Sequence, residues 1–238
     1  MREFLSNFRP RLVPTLIAVP GVLLLLGLGT WQVARLAEKA ALNAYRAERV
    51  EAPAVALPAR VVDPAEFDFR RVTLVGAFGH DRELYLNARS QRGNAGYHIL
   101  TPLIRDGAPP VLINRGWVPY DRKNPDRRAE GQVHGASRVE GILRREPRRG
   151  WLMPDNDAAK NEWFWYDLSA MAQATEFADL APFYVEATAT PNPGGFPIGG
   201  QTIVELPSPH LQYAVTWYAL AVALAVIYVM WHRRSQAR

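Results

Sequence analysis

Two stretches of this chain, Leu12 to Ala34 and Leu206 to Trp231, carry no formally charged side chain, while nearly all charge lies between them or in two short tails. A helix rises 1.5 Å per residue, so about 20 apolar residues cross the roughly 30 Å hydrocarbon layer of a bilayer. Both stretches exceed that length, and nothing between them comes close. The expected fold class is therefore an α+β membrane protein. Two transmembrane helices flank a mostly antiparallel β domain, held outside the cytoplasm and containing at least one helix. Average properties conceal this, because a mean hydropathy of −0.15 with 21% charged residues would suit a soluble protein.

The first stretch has a competing reading as a cleaved signal peptide, with Arg9 and Arg11 as its charged region and Gly27-Leu28-Gly29 as a small-residue site. Against it, the apolar run is longer than a usual signal core. Trp31 with Arg35 also forms the aromatic and snorkelling boundary that ends a permanent anchor. Arg2, Arg9 and Arg11 precede the first span and Arg233, Arg234 and Arg238 follow the second, with Glu3 the one opposing charge, so both tails are expected in the cytoplasm. The expected divisions are a tail over 1–11, a span over 12–34, an extracytoplasmic β-rich domain over 35–205, a span over 206–231 and a tail over 232–238. A net charge of +5 then has a membrane explanation, and no motif points to nucleic acid.

The chain has no cysteine, which excludes disulfides, covalent c-type heme attachment, thiolate copper sites and a cysteine nucleophile. Four methionines make no thioether cluster. Asp155-Asn156-Asp157 lacks the Gly and terminal Glu of a calcium loop, and no G-x-S-x-G, H-E-x-x-H or Walker sequence is present, so no enzyme reading finds its residues.

From Ala34 to about Arg49 the sequence lacks Pro and Gly and is rich in Ala, Leu, Glu and Arg, which extends the first helix beyond the membrane until Pro53. Ala52 to Pro64 reads as a connecting loop. Strands are predicted over Arg71–Phe78, Glu83–Asn87, Tyr97–Ile104, Val111–Val118, Val139–Leu143, Phe183–Thr188 and, last and short, Thr202–Leu206. Short turns at Gly79-His80-Asp81, Arg92-Gly93-Asn94 and Asp106-Gly107 suit an antiparallel meander. A helix from about Leu168 to Glu176 has Asp167 or Ser169 as its candidate cap.

His210 is the first candidate for chemistry. Ser208-Pro209-His210 reads as a helix start, with Ser208 the cap, so the imidazole sits at the positive end of the helix dipole, where its neutral, metal-ligating form is favoured. Tyr213, Ala214 and Trp217 share its helical face, which suits either a heme wall or an interfacial aromatic belt. Trp31, Arg35 and Lys39 stand at four-residue steps on the first helix, with Gln32 adjacent, as anchors or as cations for propionates. Arg115 and Trp117 alternate onto one strand face with Ile113, which marks a cation–π pair on an exposed contact surface or a structural pair. Trp163 to Tyr166 form an aromatic run suited to core packing.

Taken together, Gly29-x-Trp31-Gln32-x-x-Arg35-x-x-x-Lys39, Asn114-Arg115-Gly116-Trp117-Val118-Pro119 and His210-Leu211-x-Tyr213-Ala214-x-Thr216-Trp217 resemble the Surfeit locus protein 1 family of cytochrome oxidase assembly factors. Arg71-Val72 before Gly76-x-Phe78, Gly96 before Leu100-Thr101-Pro102-Leu103, and Gly194-Gly195-Phe196-Pro197 to Gly200-Gln201 extend the resemblance over nearly the whole chain. One departure is Ser208, where many relatives carry Asn. The resemblance implies a non-enzymatic chaperone of heme-copper, cytochrome c type oxidases. It implies heme a as cofactor, with His210 on the iron and Trp217, Tyr213, Trp31 and Arg35 around it. Arg115 and Trp117 are then the candidate partner-binding residues. The oxidase catalytic subunit, heme a synthase and the lipid bilayer are the implied partners. The short N-terminal tail without a presequence and the Ala- and Arg-rich composition make a bacterial plasma (inner) membrane the expected location, with the domain periplasmic. The alternative is a cofactor-free scaffold that stabilises an oxidase assembly intermediate.

Overall fold

The computed structural model describes residues 11–234, so Arg2, Glu3, Arg9 and Arg238, on which part of the tail-charge expectation rests, lie outside the described residues. The chain divides into two compact units: a helix pair, reaching to Tyr45 and resuming at Glu205, and a β domain over Arg46–Val204.

In the first unit, α1 runs over Leu12–Glu51 and the last helix, α3, over His210–Arg234. Both are long and apolar enough to cross a membrane. With no water in the hydrocarbon layer, polar groups there must find partners in the protein. The backbone N–H of Arg11 donates to His232 Nε2 at 3.1 Å, Thr15 meets the Tyr228 hydroxyl at 2.5 Å, and Thr30 meets that of Tyr218 at 3.1 Å. Asn43 grips the backbone of Leu206 from both sides, at 3.1 and 3.2 Å. These pairs match the start of one helix with the end of the other, so the helices run antiparallel. Ala18, Gly29, Ala214 and Ala221 are buried between them, whereas Leu16, Leu23, Val215 and Val222 are exposed, as expected of a lipid-facing side. A Cβ on Gly29 would lie 2.7 Å from the Tyr218 ring. Gly29→Leu is therefore expected to pry the pair apart, costing about 1–3 kcal/mol as overpacking does. The check is a lowered melting temperature of the helical signal in detergent, with Gly27→Leu, at a site open on every side, unchanged.

The β domain holds β1 (Val55–Ala56), β2 (Arg71–Phe78), β3 (Leu84–Gln91), β4 (Asn94–Arg105), β5 (Ala108–Pro119), β6 (Ala136–Arg145), α2 (Leu168–Ala174) and β7 (Phe183–Ala187). Strand order is β1-β2-β6-β7-β5-β4-β3, and β2 also pairs with β4, so β2, β6, β7, β5 and β4 close a ring. Closure removes most of the free edges through which sheets aggregate. Leu74, Leu103, Val111, Ile113, Leu143 and Val185 fill one side of the sheet. Trp163, Tyr166, Leu168 and Met171 cover the other, over Leu86, Leu100 and Leu112. Asp167 caps α2, its carboxylate accepting from Ala170 N–H at 3.0 Å.

The antiparallel meander holds only for β3-β4-β5. β7 runs antiparallel to β6 but parallel to β5, and β1 parallel to β2, so the sheet is mixed. β7 lies between strands of opposite direction, so the parallel pair β5 and β7 is joined through β6 and α2 rather than by a tight turn. The Ala52–Pro64 loop contains β1, and Thr202–Leu206 forms no strand. The latter has β-prone residues but is paired with no strand.

Candidate functional site

The α3 helix begins one residue later than a Ser208 cap requires. Its first backbone bond runs from Tyr213 N–H to the Pro209 carbonyl, at 3.2 Å, which puts Pro209 in the capping position. Ser208 lies outside the first turn, and its Oγ is buried without a hydrogen-bond partner.

His210 opens this helix half-buried, and its Nδ1 lies 2.7 Å from Gln32 Oε1 on α1. With the Gln32 amide in this orientation its oxygen accepts and Nδ1 donates, and in a neutral ring Nε2 is then the nitrogen left to act as a ligand. That is how metal-ligating histidines are oriented: one ring nitrogen is tied to an oxygen and the other presented. Gln32 is 8% exposed, and the sequence marks it only as a neighbour of Trp31. Its place on the buried stripe of α1, three residues after Gly29, is the signal that could have singled it out.

The remaining helix candidates do not form a single enclosure. Ala214 is buried, Trp217 half-buried and Tyr213 51% exposed. Trp31 is 51% exposed, and the Arg35 guanidinium stands 5.9 Å from its ring centroid. Arg35 also pairs with Glu38 at 2.7 Å, both side chains more than half exposed. Such a surface pair contributes little and exchanges readily. By helical spacing Arg35 lies one turn from Gln32.

In the β domain the reading of Arg115 and Trp117 as an exposed contact surface is corrected: they are 2% and 5% exposed. β5 is enclosed on both faces from Pro110 to Val118, and a bulge also breaks its alternation. Ile99 pairs with Gly116 and Leu100 with Asn114, so Arg115 is the extra residue of β5 and the alternation behind the surface reading breaks there. Gly116 adopts φ +119°, a conformation that side chains resist, and the backbone of Ile198 lies against it. Trp117 exchanges two backbone hydrogen bonds with Ile198, at 2.9 and 2.8 Å. The cation–π partner of Arg115 is Phe78, at 4.6 Å, rather than Trp117.

Arg115 belongs to a buried charge cluster that sequence reading missed. Glu83 accepts two hydrogen bonds from Arg128, at 3.2 and 2.5 Å, and others from Thr101 and Gln132, both at 3.3 Å. Arg115 Nη1 lies 3.8 Å from the same carboxylate. Burial pushes the Glu83 carboxyl up, but hydrogen bonds from His80, Arg128 and Gln132, with the Arg128 charge, hold it at about 2. Burial draws Arg115 down to about 10, so it remains a cation at neutral pH. No local pattern announces a pairing between residues 45 positions apart.

Comparison with known proteins adds the family. The model of the SURF1 family matches residues 19–222. Surfeit locus protein 1 of Takifugu rubripes is 36% identical over 221 residues, covering 85% of this chain and 90% of that protein. Its Homo sapiens counterpart is 36% identical over 218 residues, covering 85% of this chain and 72% of that protein. A SURF1-like protein of Monosiga brevicollis is 35% identical over 236 residues, covering 94% of this chain and 88% of that protein.

Proposed function

Because the chain belongs to the SURF1 family, we propose that it is a non-enzymatic assembly factor for a heme-copper terminal oxidase. In this reading it holds heme a at the outer boundary of a bacterial plasma membrane and offers it to the oxidase catalytic subunit, with the β domain periplasmic. The observation that carries the reading is the His210–Gln32 contact, which engages Nδ1 and leaves Nε2 as the ring nitrogen for a ligand at the first residue of a long apolar helix. The donor chemistry fits: a neutral imidazole held in one tautomer is a heme ligand.

Heme a is the cargo here, and its iron would take an imidazole as ligand. His210 would hold the iron, its ring oriented by Gln32. Arg35, whose pair with Glu38 is exposed, would face a propionate, and Trp31, Tyr213 and Trp217 would offer flat apolar surface. A single protein ligand without a second gives a site that releases its cargo, as transfer requires. Heme a synthase fits as the donor of that cargo.

The test is the reduced absorption spectrum of the full-length protein purified from cells that make heme a, recorded for wild type and His210→Ala. A heme a band at least tenfold weaker in the variant is expected. An unchanged band would remove His210 as the ligand, and its absence from wild type would favour a scaffold that binds no cofactor. Gln32→Leu is expected to keep the protein folded but weaken heme retention about 10-fold or more, the size seen when a ligand histidine loses its orienting partner.

A further inference from the structure

The mouth of the closed ring holds a cavity of about 470 Å³, within the size range of small-molecule sites, and barrel mouths are a common place for such sites. Phe78, Ile113 and Val139 give it apolar walls, and Arg115 and Arg138 are its cationic lining residues. Arg115 enters through the bulge. Its Nη2 donates to the Gly131 carbonyl at 2.5 Å and to Asn192 Oδ1 at 3.2 Å, but its Nη1 is buried without a hydrogen-bond partner. The nearby carboxylate is no remedy, because Glu83 is already bonded by Arg128, Thr101 and Gln132. Two buried guanidiniums therefore share one carboxylate, which leaves a surplus positive charge beside a cavity. Isolated buried charge is costly unless paired. Arg138, exposed at the entrance, has no ion-pair partner among the described residues, and Glu140, the one acidic residue lining the cavity, lies 3.7 Å from Arg71.

We propose that this cavity binds a small organic carboxylate, its charge set against Arg115 and Arg138 and its apolar body against Phe78, Ile113 and Val139. Arg115 brings a buried cation and Arg138 an exposed one, which specifies an anion, and the apolar walls specify an organic body over an inorganic ion. Arg138, exposed, is the guanidinium free to hydrogen-bond a carboxylate, while Arg115, enclosed beside the cavity, contributes its charge. The site lies wholly within the β domain and does not depend on the heme reading.

The experiment uses the full-length protein in nanodiscs, with benzoate and its neutral isostere benzamide titrated by saturation-transfer NMR up to about 20 mM, a range that captures the weak affinities of fragments. Benzoate is expected to bind at least tenfold more tightly than benzamide. Arg138→Gln, at an exposed site, is expected to weaken benzoate several-fold. Thr190→Trp, at an exposed lining position, is expected to abolish binding with an unchanged melting temperature. Arg115→Gln adds a test of the floor if it folds, and the other two variants decide the matter if it does not. Equal affinity for acid and amide, no binding of benzoate, or undiminished binding in Thr190→Trp would each overturn the proposal.

Discussion

Replacing Glu83 with Gln is expected to destabilise the β domain by about 3–5 kcal/mol, the range found when one member of a buried ion pair is removed. The carboxylate is 5% exposed and stands against two guanidiniums, Arg128 and Arg115, which are 4% and 2% exposed. Gln preserves shape and some hydrogen bonding but takes away the only negative charge that either arginine faces closely in this cluster. With a typical domain stable by only 5–15 kcal/mol, a loss of that size reaches a large share of the total. The check is the urea midpoint of the full chain in detergent, followed by tryptophan fluorescence. Glu83→Gln with Arg128→Met should recover part of the loss, because the double change removes a charge along with its partner. A midpoint unchanged by Glu83→Gln would mean that water solvates the cluster.

Acid is expected to act on the same domain in two steps. His98 is half-buried, with Asn114 Nδ2 donating to its Nδ1 at 3.1 Å, an arrangement that requires an unprotonated nitrogen. Burial, with the Arg89 charge, lowers its pKa from 6.5 to about 3. The unfolded chain takes up this proton below about 6.5 and the folded one does not, so stability falls as pH drops from 6.5 toward 3. At 1.36 kcal/mol per unit the full effect is on the order of 4–5 kcal/mol. Glu83, held at about 2 against an ordinary 4.5, adds a second loss between 4.5 and 2. Glu186, whose pKa burial raises above the ordinary carboxylate value, works in the opposite sense above 4.5 and blunts the first step. Urea midpoints at pH 7.5, 5.5 and 4.5 should decline. His98→Gln, which keeps an acceptor for Asn114, should flatten the decline above pH 4.5. A decline of equal slope in that variant would place the effect elsewhere.

These two sites also mark where sequence reading ends. The spans were legible because membrane insertion demands an uninterrupted apolar run, and β2 because Val72 and Leu74 alternate with residues facing away. Asp167 was legible as a cap because capping is local chemistry. Arg115 was not, because one extra residue in β5 reverses the facing of everything beyond it. The partnership of Glu83 with Arg128, and the docking of β7 beside β5, depend on chain segments that meet only once the ring has formed. Gln32 stood in plain view in the first helix, but its meaning came from His210, 178 positions away.

The ring is not closed equally all round. β2 joins β6 through seven residue pairs but joins β4 through only two, Ala77 with Ile104 and Phe78 with Leu103. A barrel breathes where fewest bonds hold it, so amide hydrogens along this seam should exchange with solvent sooner than those along β2–β6. Phe78 belongs both to the seam and to the cavity that Arg115 lines, so transient parting of the seam would widen the entrance without unfolding the core.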